Sequence, residues 1–84
     1  VTMKRRIYRF KTEADVDVVL TLFKNEEGTW TLTGGCNEGG KWRPHEPREI
    51  HFKDGEDAVY AIELYKWMVQ DSGWTFLSQE DEDA

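Results

Sequence analysis

The run Gly35-Cys36-Asn37-Glu38-Gly39-Gly40-Lys41 has the spacing of a phosphate-binding GxxxxGK loop. In such loops backbone N–H groups cradle the phosphates and the lysine reaches them. The chemistry also needs Ser or Thr after the lysine to hold magnesium, and a helix starting there. Position 42 is tryptophan and Pro44 follows closely, so nucleotide binding is not expected. Cys36, His45 and His51 are the only soft metal ligands, and none forms a close pair of the CxxC or HxxxH kind that zinc sites use. A Cys–His nucleophilic pair would need an orienting third group, an oxyanion donor and a cleft. An 84-residue chain leaves little room for these. The expectation is therefore a protein that is not an enzyme and that holds no metal or cofactor.

Two other constellations suit binding. The first is Tyr60 and Trp67, seven residues apart in a helical pattern and on its polar side, with Glu56, Glu63 and Asp71 around them. Tyr and Trp dominate interface hot spots. Either the Trp74–Leu77 segment folds back over this pair, or the pair meets a partner. The second is the basic first segment, where Lys4, Arg6, Tyr8 and Phe10 alternate as in a sheet that stacks bases and pairs phosphates. Lys41, Trp42, Arg43 and Arg48 could extend that platform from a loop.

Charge is sorted along the chain. Residues 1–12 hold five bases and no acid, residues 13–53 eight acids and five bases, and residues 54–84 nine acids against Lys66 alone. The formal net charge is −6, which opposes a nucleic-acid footprint spread over the domain. An acidic end could fold onto the basic start as an internal competitor.

The elements that position these residues follow from periodicity. Met3 to Lys11 reads as a strand with charge on both faces, which suits a sheet edge. Asp15 to Lys24 alternates cleanly, with Val16, Val18, Leu20 and Leu22 on one face. Asn25 to Gly28 supplies turn chemistry, and Thr29 to Thr33 completes a hairpin. Residues 34–47, with four glycines and two prolines, read as a long irregular connection. Arg48 to Lys53 is a further strand with Ile50 and Phe52 inward. Asp54 then caps a helix whose stripe of Ala58, Ala61, Ile62, Leu64, Tyr65, Met68 and Val69 faces the core. Gly73 ends it, and Trp74 to Leu77 returns extended.

The predicted architecture is α+β: a four-stranded antiparallel meander with one C-terminal helix on one face, then a short extended segment. Residues 1–77 form a single domain and 78–84 a disordered acidic tail. Eleven aromatics can fill a thin core. A lone cysteine, and no apolar run near the roughly 20 residues of a membrane span, suggest a reducing, cytoplasmic setting. The expected function is a small protein-binding module, an inhibitor or accessory protein of phage or mobile-element type, presenting a nucleic-acid-mimicking acidic surface to a basic partner. Single-stranded nucleic-acid binding through the basic strand and the 34–48 loop is the alternative. An exposed edge also leaves homodimer formation by sheet extension open.

Overall fold

The computed structural model describes residues 3–83. One α-helix packs on one face of a six-stranded antiparallel sheet. The strands are β1 (Met3–Lys11), β2 (Asp17–Lys24), β3 (Trp30–Glu38), β4 (Lys41–Pro44), β5 (Ile50–Phe52) and β6 (Thr75–Asp83), and the helix is α1 (Gly55–Asp71). The order across the sheet is β4-β3-β2-β1-β6, with β5 beside β3 further along the edge that β4 occupies.

The α+β class is as predicted, but the sheet has six strands instead of four. The glycine-rich stretch accounts for one addition. Gly34 and Gly35 lie within β3, and Gly39 and Gly40, both at positive φ, turn the chain into β4. Glycine is required at Gly35 because Trp42 lies across it. A Cβ there would meet the Trp42 ring and stand 2.7 Å from the Arg43 carbonyl oxygen. Gly35→Ala should lift Trp42, separate β4 from β3 and cost about 1–3 kcal/mol. Urea titration followed by tryptophan fluorescence checks this.

The acidic end accounts for the other addition. Residues 75–83, expected to be a short extended piece and then a frayed tail, form one strand paired with β1. Ala84 lies outside the described residues. Consequently β1 is no edge strand: β2 flanks it on one side and β6 on the other. Its three arginines are met by acids of β6, and Lys11 by Asp15 and Asp17.

Alternation sends Tyr8 and Phe10 of β1, with Val18, Leu20 and Leu22 of β2, toward the helix. Ala58, Ile62 and Val69 meet them from α1. Asp54 caps the helix, accepting from the Asp57 N–H at 2.9 Å. The Ser72 and Gly73 N–H groups close its far end, with Gly73 at φ +88°. The predicted apolar stripe is too broad. Leu64 and Met68 are exposed, since a single helix against a flat sheet buries only its innermost side chains. Among the described residues, no helix is long and apolar enough to cross a membrane.

Candidate functional site

The helix places Glu56, Tyr60, Glu63, Trp67 and Asp71 away from the sheet, because at 100° per residue they fall opposite Ala58 and Val69, and it leaves Leu64 and Met68 exposed at the flank of the same face. Tyr60 and Trp67 are each 67% exposed, Met68 is 64% and Leu64 43%. The C-terminal segment does not cover them. Trp74 instead stands edge-on to Tyr65 at 6.3 Å, and Phe76 packs on Phe10 at 5.3 Å. Exposed apolar side chains are ordinary singly; four along one helix form a patch. Leu64 and Met68 belong to it, although apolar periodicity alone assigns both to the core.

Beside this patch, a groove of about 900 Å³ runs between the first half of α1 and the sheet. Leu22, Trp30, Val59 and Tyr60 give it apolar walls, with Arg6, Glu56 and Glu63 at its margins. Trp30 reaches the helix because Gly55 has no side chain: a Cβ there would stand 3.2 Å from the indole nitrogen. Tyr60, Glu56 and Glu63 thus serve both the groove and the outer patch. Lys66 is turned inward, 4.2 Å above the Phe76 ring and 3.6 Å from Glu63. The outward patch is left acidic as well as aromatic.

The basic platform is not assembled. Tyr8 is 1% exposed and Phe10 is 0%, so neither can stack on a base. Arg6 grips Asp81 through both carboxylate oxygens, at 2.6 and 3.1 Å, and lies 3.4 Å from the Tyr8 hydroxyl. Lys4 is exposed, while Lys41, Trp42 and Arg43 sit on β4, three strands away from β1. That separation is about 14 Å. Arg43 pairs with Glu38 and Arg48 with Glu46, both on the surface. Every arginine of the chain has a carboxylate partner.

Three of those pairs lock β6 to β1: Arg5 with Glu82, Arg6 with Asp81, and Arg9 with Glu80 at 3.7 Å. The hydrogen bonds from Arg6 hold the Asp81 carboxyl below its ordinary value and the guanidinium above its own. An acid whose folded-state pKa is depressed adds stability that is full above its unfolded value and fades as pH falls through the folded one. The charged half of β6 should therefore loosen below about pH 4. Amide exchange at residues 78–82 should speed up there before exchange at β2 does.

The remaining candidates do not converge. Thr31, 2% exposed, takes the Asn25 amide at 2.9 Å and lies 3.1 Å from His51 Nδ1, an arrangement that ties down the β2–β3 turn. His51 therefore stands on the outer side of β3, whereas Cys36 lies five residues on and faces the helix. His45 packs beside Gly34. Among the described residues, no three His, Cys, Asp or Glu side chains gather as a metal site. The GxxxxGK run is the β3–β4 hairpin and leads into no helix. Compared with known proteins, the chain matches no family, no curated protein and no solved structure.

Proposed function

We infer that this domain is a non-enzymatic protein-binding module whose docking surface is the outer face of α1. The observation that carries this is the exposed row of Tyr60, Leu64, Trp67 and Met68 set among Glu56, Glu63 and Asp71. Apolar anchors ringed by polar groups are the usual anatomy of a hot spot. The charge names the partner. The face carries carboxylates with its one lysine turned inward, so it selects a basic, partly apolar surface and repels a second copy of itself.

An inhibitor or accessory protein occupying a basic groove fits this surface. The row favours an amphipathic protein groove over a strict imitation of nucleic acid. Along the axis Glu56 stands about 10 Å from Glu63, and Glu63 about 12 Å from Asp71, with apolar side chains between them. The test compares immobilised wild-type chain with Trp67→Ala on lysate of the source cell. Proteins held by the wild type and released by salt should be missing from the variant. Identical sets of retained proteins would refute the reading.

A further inference from the structure

The two edges of the sheet are built differently. On one side β4 and β5 are short, and β4 ends in Pro44, which has no N–H to offer. On the other side β6 runs for nine residues, and among the described residues it pairs only with β1. Alternate residues of such an edge turn their N–H and C=O groups to solvent. A shift in the β1–β6 register near Phe76 and Ser78 separates an apolar half from a charged half. In the charged half, Gln79, Glu80, Asp81 and Glu82 are all exposed.

The inner side of β6 shows what this strand accepts. The neighbour it pairs with antiparallel is MKRRIYRFK, an extended segment with five basic residues. Arg5, Arg6 and Arg9 meet Glu82, Asp81 and Glu80 there, yet the three carboxylates stay 45%, 43% and 54% exposed. A carboxylate can accept from several donors, so each retains capacity toward the open side. Like-charged strands are repelled from this edge, which excludes a second β6 in register. We propose that the outer edge of β6, over residues 78–82, is a docking site for an extended Arg/Lys-rich peptide segment, which adds to the sheet antiparallel as β1 does. The strand backbone supplies the pairing and the acids supply the selection. The site uses none of the helix residues invoked above and stands or falls apart from them.

The probe is a synthetic, end-blocked peptide of the β1 sequence, residues 3–11, titrated against the full chain and followed by backbone NMR. At low salt the amides of 78–82 should shift and gain exchange protection, and Trp67→Ala should leave affinity unchanged. The double variant E80Q/E82Q should weaken binding at least about tenfold. That variant also loosens β6, so a second arm keeps the wild-type chain and alters the probe. A peptide with I7P and Y8P keeps all of the charge but lacks a central N–H on either edge, so it cannot form the ladder. It should bind at least about tenfold more weakly. Equal affinity for the proline peptide would reduce the effect to charge attraction and overturn the proposal. So would absence of binding at low salt, or shifts at β2 showing that the peptide merely replaces β1.

Discussion

Phe10→Ala should unfold much of the population at body temperature. The side chain is 0% exposed and lies where all three parts of the fold meet. Its ring stands edge-on to Tyr65 of the helix at 5.7 Å and against Phe76 of β6 at 5.3 Å. Removing it leaves a cavity that neither neighbour can collapse into without leaving its own contacts. Such truncations cost about 3–5 kcal/mol. The total for a domain of this size is near the lower end of about 5–15 kcal/mol. At about 4–8 °C per kcal/mol, the melting temperature should fall by at least about 12 °C. Ile7→Ala, on the less buried opposite face, is the control and should cost clearly less. A fall in Phe10→Ala of under about 5 °C would show that the core does not depend on this junction.

Trp67→Ala and Tyr60→Ala are expected to do the reverse. Each side chain is two-thirds exposed. Truncating either should move stability by no more than about 0.5 kcal/mol. Against the captured partner, each should weaken affinity by about 30-fold or more, the weight of a central aromatic anchor. Glu63→Gln and Asp71→Asn should chiefly slow association and flatten its salt dependence. Calorimetry on the purified pair separates the two classes. Unchanged affinity in both aromatic variants would remove the helix face as the docking surface.

Much of this arrangement is legible in the residues. The alternation of Val18, Leu20 and Leu22 reflects burial on one face only, and a period of two is unambiguous for that. Asp54 and Gly73 mark the helix ends by local chemistry that tertiary contacts do not override. Tyr60 and Trp67 stand out because their angular position on the helix contradicts their size. What is hidden depends on neighbours distant in sequence. Gly34 and Gly35 look like loop residues until Leu20, His45 and Trp42 are seen to fill the space where side chains would be. The run from Glu80 to Glu82 looks unable to form a strand until three arginines are placed beside it. Leu64 and Met68 fit the core period, yet among the described residues nothing packs over that side of the helix. Tyr8 and Phe10 appear as a basic platform from spacing alone, because the sequence does not say which face of β1 the helix covers.

The pairing of β1 with β6 also sets an order of events. The β1–β2–β3–β4 ladder joins strands close in sequence, whereas Arg5 and Glu82 are 77 positions apart. Loop closure makes contacts of that span late ones, because their entropy cost falls due before any ladder forms. The meander and helix should therefore form first and β6 dock last. The same strand is then the first to leave, so opposite charges at the two ends of the chain act as a clasp on a sheet already built.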